Sequence, residues 1–257
     1  MSIAAADVAR LRARTGVGIL DAKNALEEAK GDEELAIEIL RKRGKAQAVK
    51  KADRVQTEGA IFIAKTDTKA ALVQVRCETD FVGRSDVFLK FGRDLADHLL
   101  TKGKSGFEAY AAEKVPAAVL ELGENISVAE TREMSAPVIG TYVHLNRKIG
   151  VIVGLDGEGN KEQACDVCMH GAAMNPSYVR SSDVPAEAIV KEREIWKEQM
   201  KNEKKPPEIL EKIMLGKERK FREENALLTQ PFVKDNNQTV EKMLGKAVLK
   251  EYVRVAF

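Results

Sequence analysis

Aromatic residues are scarce in this chain: Phe, Tyr and Trp together make up 5% of its 257 residues. Each one therefore stands out. Histidine is scarcer still, with three, and no nucleophile–base arrangement is visible around them, so covalent catalysis finds little support and no catalytic residue is assigned. Three cysteines, an odd number in a chain this long, do not make a disulfide framework and fit a reducing compartment. An excess of one charge is missing too. The 42 Lys and Arg against 40 Asp and Glu leave +2, too near neutral to require a nucleic-acid partner. No apolar run approaches the ~20 residues that a membrane span needs, and the opening MSIAAADVARLRARTG has no apolar signal core. The expectation is a soluble cytoplasmic protein with no membrane partner.

What is present can bury a sizeable core, with 44% hydrophobic and 32% charged residues. Residues 1–44 read as three short helices. Ala4, Val8 and Leu11 share one face, TGVG at 15–18 breaks the first helix, and Ala22, Ala25, Leu26 and Ala29 repeat at helical spacing in the second. Gly31 can stop that helix, Asp32 can cap a third carrying Leu35, Ala36, Ile39 and Leu40, and Gly44 ends it. The polar, basic KAQAVKKADRVQ at 45–56 reads as a solvated connector. Its alternative is a phosphate-contacting strip, but no aromatic is interleaved for base stacking.

The middle of the chain reads as a pattern used twice. Gly59–Ile63, a polar turn, a strand at Leu72–Val75 and a helix are followed by Gly140–His144, a polar turn, a strand at Ile149–Val153 and a helix near 161–174. Paired α+β subdomains follow from that order. From Pro185 to about Asn225 the sequence is highly charged, with a thin apolar stripe at Ile189, Trp196 and Met200. Pro206-Pro207 breaks it, and Leu210, Met214 and Phe221 resume it, which predicts an antiparallel coiled-coil hairpin. The fold class is α+β: a helical module, a two-subdomain core and an inserted hairpin.

Several short patterns imitate chemistry. CDVCMH at 165–170 places Cys165, Cys168 and His170 at metal-like spacing, yet a structural zinc site needs four ligands and a haem attachment needs His directly after the second Cys. Ala164, Cys168, Gly171 and Ala172 share a helical face, so core packing accounts for Cys168. GKS at 103–105 would need a glycine at His98, and TGVGILD carries Asp21 where a dinucleotide fingerprint has its third glycine. No metal and no cofactor is expected. RCETDFVGRSDVF at 76–88 differs from these, because a strand and an amphipathic helix flank a corner holding Asp80, Phe81 and Val82. Either Asp80 caps backbone amides while Phe81 folds into the core, or Phe81 is an aromatic wedge presented to a partner.

LRARTGVGILDAKNALEEAKGDEELAIEILRKRG (11–44), CETDFVGRSDVF (77–88), GENISV (123–128), YVHLNRKIGVIV (142–153) and LLTQPFVKDNNQTV (227–240) occur in the order found in the elongation factor Ts family, which the chain resembles along nearly its whole length. The resemblance implies a ubiquitin-associated-like three-helix module with its linker at 1–54. It implies core subdomains at 55–140 and 141–179, a coiled-coil hairpin at 180–226, and a return segment at 227–257. It also implies guanine nucleotide exchange on elongation factor Tu, in its GDP-bound and nucleotide-free forms, with Thr79, Asp80, Phe81 and Val82 disturbing that partner's Mg²⁺ site. Further partner contacts implied are Thr15, Gly16, Lys23 and Leu26 in the module, Gly123, Asn125 and Ile126, and His144, for which a local hydrogen bond is the alternative. No direct nucleic acid is required, and a homodimer or a heterotetramer with the partner is compatible with the family. Some members continue beyond the segment equivalent to EYVRVAF into a helix that also touches the partner, a contact in question here. The rival functions are an RNA-binding translation accessory protein using the basic connector and the hairpin, and a zinc or redox enzyme built on CDVCMH.

Overall fold

The computed structural model describes residues 3–201 and 206–257. In chain order the elements are α1 (Ala5–Thr15), α2 (Ile19–Glu28), α3 (Glu33–Lys51), β1 (Glu58–Lys65), β2 (Lys69–Cys77), α4 (Asp80–Arg84), α5 (Asp86–Leu122), β3 (Ser127–Ser135), β4 (Val138–Val143), β5 (Ile149–Gly157), α6 (Lys161–Met174), α7 (Ala186–Met200), α8 (Pro207–Asn225), β6 (Pro231–Phe232), β7 (Asp235–Thr239), α9 (Val240–Leu244) and β8 (Ala247–Ala256). Helices mixed with small sheets make the fold α+β, as the sequence pattern predicts. Chain contacts gather into two units: Met1–Ser135 with Val143–Gly150 and Val255–Phe257, and Ala136–Tyr142 with Val151–Arg254.

In the first unit, α1, α2 and α3 close a small core of Val8, Leu11, Ala22, Ala25, Leu26, Ala29, Ala36 and Leu40. Gly16 caps α1 in the left-handed conformation (φ 74°), and the Asp32 carboxylate caps α3 by accepting from Leu35 N at 2.9 Å. Two expectations fail in this module. Leu35 is exposed rather than packed. Gly44 does not stop α3, which runs on to Lys51 and turns most of the expected connector into helix. The physical reason is close approach: a Cβ on Gly44 would stand 2.8 Å from the Pro116 carbonyl oxygen, so the glycine lets α3 lie against α5.

Strands β1, β2 and β3 form an antiparallel sheet in which Phe62 faces Val73 and Val73 faces Thr131. One side carries α5, and the core between them includes Phe62, Val73, Val75, Phe88, Leu95 and Leu99. The contact is close enough that a Cβ on Gly92 would fall 2.0 Å from the Phe62 ring. The helix that follows the corner is interrupted at Gly103, whose backbone is non-helical (φ 68°, ψ 178°), and a second helical stretch continues to Leu122, so GKS marks a break between two helical stretches rather than a phosphate loop.

In the second unit, the sheet has the order β4-β5-β8. Helix α6 lies on it, with Gly140 admitting Ala164 and Gly171 admitting the Tyr252 ring at distances where a Cβ would clash. Helices α7 and α8 form the expected hairpin, and their apolar stripe closes on itself: Trp196, Met200 and Met214 are buried together with Leu210, Ile213 and Phe221 packed alongside. Trp196 meets Phe221 edge-on at 6.0 Å. Residues 202–205, at the predicted hairpin tip, and residues 1–2, at the start of the predicted helical module, lie outside the described residues.

Candidate functional site

Chain direction changes sharply between β2 and α5, and the turn is itself a helix, α4, of five residues. Thr79, not Asp80, caps it. The Thr79 hydroxyl oxygen accepts from Val82 N at 3.4 Å and donates to the Glu124 carboxylate at 2.5 Å. Thr79 N also donates to Glu124, at 3.0 Å, as does Glu78 N at 2.9 Å. The Thr79 carbonyl accepts from Gly83 N at 3.1 Å and from the Cys77 thiol at 3.2 Å. Burial, reinforced by the Glu124 charge, pushes that thiol up to about 12, so Cys77 keeps its donor proton. At the far end Ser85 donates to Val82 O at 2.8 Å and accepts from Phe88 N at 3.3 Å, which closes α4 and opens α5. Every polar group of Thr79 has a partner, so the corner is held at both ends.

On that scaffold Phe81 points outward, 85% exposed, while Val82 packs against the sheet–α5 core. Asp80 ion-pairs with Arg84 at 3.2 Å on the α4 surface. That exposure overturns the alternative in which Phe81 folds into the core; the buried ring beside this corner is Phe88, 6.1 Å from Phe62. Burying a Phe ring is worth ~1.5–3 kcal/mol, and this corner forgoes that gain at Phe81.

The remaining candidates divide by exposure. Gly123 caps α5 (φ 75°) and its carbonyl accepts from Lys51 Nζ at 2.5 Å. Asn125 is buried: its backbone N donates to Glu78 Oε1 at 2.7 Å, and Nδ2 donates to the carbonyls of Ala52 and Arg54 at 3.2 and 3.0 Å. Ile126 and Leu26 are buried in their cores. These three support a surface rather than form it. Thr15 binds its hydroxyl to Leu11 O at 2.7 Å, Lys23 is exposed beside Glu27, and Gly16 leaves room for the Glu121 carboxylate, whose pKa burial raises. His144 is exposed; its backbone N donates to Ile149 O and its carbonyl accepts from Arg147 N. Its turn, which carries the 97% exposed Leu145, faces α4 across a cleft of about 580 Å³ lined by Asp80, Arg84, Arg147 and Lys148. The structure thus brings Thr79–Val82, the Gly123–Ile126 loop and the His144 turn into one unit.

Sequence reasoning missed Glu124 and Glu78, although both lie inside or beside quoted motifs. It also missed Ile19 and Leu20, exposed by 62% and 68% at the start of α2. Leu20 lies off the face set by Ala22, Ala25, Leu26 and Ala29, which was the available signal.

The metal-like pattern is internal. His170, fully buried, engages Gln230 Oε1 through Nε2 at 2.8 Å and accepts from Val233 N at Nδ1 at 3.2 Å. Both ring nitrogens are therefore committed, and burial lowers its pKa and keeps the ring neutral. Among the described residues no His, Cys, Asp and Glu cluster could hold a metal ion.

Fold and corner together define an α+β protein that presents a braced, outward-facing aromatic on a short helix. Comparison with known proteins narrows the class. The model of the family described as Elongation factor TS matches residues 78–257. Elongation factor Ts of Idiomarina loihiensis is 42% identical over 257 residues, covering 96% of this chain and 87% of that protein. Its counterpart in Marinobacter nauticus is 43% identical over 252 residues, covering 96% and 87%. The counterpart in Thioalkalivibrio sulfidiphilus is 42% identical over 270, covering 99% and 92%. The chain belongs to the elongation factor Ts family and is a translation elongation factor.

Proposed function

We propose that this protein binds the GDP-bound form of elongation factor Tu and promotes release of GDP by carrying Asp80 and Phe81 towards the partner's Mg²⁺ site, after which GTP rebinds. The observation that carries the reading is Phe81, 85% exposed on a helix whose two ends are hydrogen-bonded shut. A wedge carried on an already ordered backbone avoids the entropy of immobilising a loop on binding. Mg²⁺ bridges nucleotide phosphates to protein oxygens, so a carboxylate and a ring that disturb its ligands remove a large electrostatic clamp on GDP. The coupling is reciprocal: the factor weakens GDP binding as much as GDP weakens binding of the factor. No bond in the nucleotide is made or broken, and the factor needs no nucleotide pocket of its own. Thr15, Gly16, Lys23, Ile19 and Leu20 in the helical module and His144 supply further contact, with Leu26, Asn125 and Ile126 beneath them.

Release of fluorescent GDP from elongation factor Tu, followed with and without this protein, tests the proposal. A concentration-dependent acceleration that saturates supports it. No acceleration, together with RNA binding that falls steeply with salt, would favour the RNA-binding alternative.

A further inference from the structure

Glu124 has no place in the wedge, yet its carboxylate is the hub on which the wedge hangs. It accepts from Glu78 N, Thr79 N and the Thr79 hydroxyl. The third bond matters most. By accepting the hydrogen bond from the Thr79 hydroxyl, Glu124 turns that oxygen so that a lone pair meets Val82 N, and that cap sets the first turn of α4, which holds Asp80 and Phe81. The return contact runs the other way: Glu78 Oε1 accepts from Asn125 N, the residue after Glu124. Two carboxylates thus exchange backbone amides across 45 or more residues of sequence. Asn125 then ties the clasp to the carbonyls of Ala52 and Arg54, just past the end of α3. Three chain segments, the exit of the helical module, the β2–α4 corner and the α5–β3 loop, are locked by one group of hydrogen bonds. Beside this clasp Glu78 pairs with Arg54 at 3.5 Å, and Lys51 donates to the carbonyl of Gly123, the residue before Glu124.

We infer that Glu124 is a positioning residue for nucleotide release: it acts through the Thr79 cap to aim Phe81 and Asp80, and it makes the orientation of the wedge depend on where the helical module ends. This rests on the wedge reading above. Hydrogen bonds to a charged acceptor are each worth ~1.5–3 kcal/mol. A carboxamide at this position keeps an oxygen that can accept from both the Glu78 and Thr79 amides, which share Oε2, while its NH₂ group cannot accept from the Thr79 hydroxyl, which bonds Oε1.

The test uses the full chain with Glu124→Gln, Thr79→Val, Phe81→Ala and the Glu124→Gln/Phe81→Ala double variant, read by release of fluorescent GDP from elongation factor Tu. Glu124→Gln should lower the release rate at saturating factor by about ten- to a hundredfold. The half-saturating concentration should move by less than about threefold, because the encounter surface elsewhere is untouched. Thr79→Val should act in the same direction. Hydrogen exchange at the Val82 amide, the donor of the Thr79 cap, should quicken in Glu124→Gln in the free protein. In the Phe81→Ala background Glu124→Gln should add almost nothing, since its effect passes through the ring. Wild-type release by Glu124→Gln, or a loss that multiplies undiminished onto Phe81→Ala, would overturn the inference while leaving the wedge intact. Normal release by Phe81→Ala alone would remove the wedge reading, and this role of Glu124 with it.

Discussion

Residues of chemical promise cluster in two stretches of this chain, the Cys77–Val82 corner and the Cys165–His170 segment of α6, and the fold treats them in opposite ways. In α6 the imidazole and the Cys168 thiol are buried completely, and both nitrogens of His170 are spent on Gln230 and Val233. At the corner the polar groups of Thr79 are spent on Glu124, Val82 and Gly83, Asp80 pairs with Arg84 at the surface, and the apolar ring is turned out. The first arrangement satisfies buried polar groups, which would otherwise cost ~1–3 kcal/mol each. The second leaves hydrophobic free energy unclaimed at one position and surrounds that position with fixed geometry. The difference teaches that reactive residue types can be consumed by packing, whereas an exposed apolar group on an over-determined backbone is left without a structural use and so makes the better candidate.

Phe81 and Phe88 state the same contrast within one corner, and the largest expected effect separates them. Phe88→Ala removes a ring at full burial beside Phe62 and should cost ~3–5 kcal/mol of stability, read as a lowered urea midpoint, with exchange normal per folded molecule. A wild-type midpoint would mean that Phe88 is not the inward anchor of α5.

His170 sharpens the other side. Its folded pKa is depressed by burial, so the unfolded chain takes up a proton first as pH falls through ~6.5. The stability it contributes is complete above that pH and is lost as pH falls towards the folded value. The urea midpoint should therefore drop between pH 7.5 and 5.5, and His170→Gln should drop less. Equal losses in both proteins would place the acid sensitivity elsewhere.

The smallest effect belongs to Cys165, half-buried on the α6 surface. Cys165→Ser should change stability by no more than ~0.5 kcal/mol and leave nucleotide release untouched. One tightly bound zinc per wild-type chain, lost in the variant, would break the comparison by making α6 a metal site.

Much of the fold was legible because local patterning and tertiary packing agree. The Ala22, Ala25, Leu26 and Ala29 face, the Asp32 cap and the Trp196–Met214 seam are where period and cap chemistry put them. Gly44 misled because a glycine that ends a helix and a glycine that admits a neighbour look identical in sequence; only the Pro116 backbone distinguishes them. Gly103 acts as the breaker its residue type implies, interrupting the helical run after the corner before a second stretch carries on to Leu122. At the site, the corner was visible from its flanking strand and helix. The direction of Phe81 was not, since a turn residue has no periodicity to place it. Glu124 was hidden by its 45-residue distance from Thr79, as any carboxylate–amide contact across the fold must be.

The most direct measurement takes Phe81→Ala and records melting and GDP release from elongation factor Tu on the same preparation. Truncating a central aromatic anchor costs ~2–4 kcal/mol of binding, or about 30- to 1000-fold if the loss falls wholly on the ternary intermediate. The account predicts that loss in stimulated release with a melting temperature close to wild type. A protein that melts much lower yet releases GDP normally in its folded fraction would contradict it.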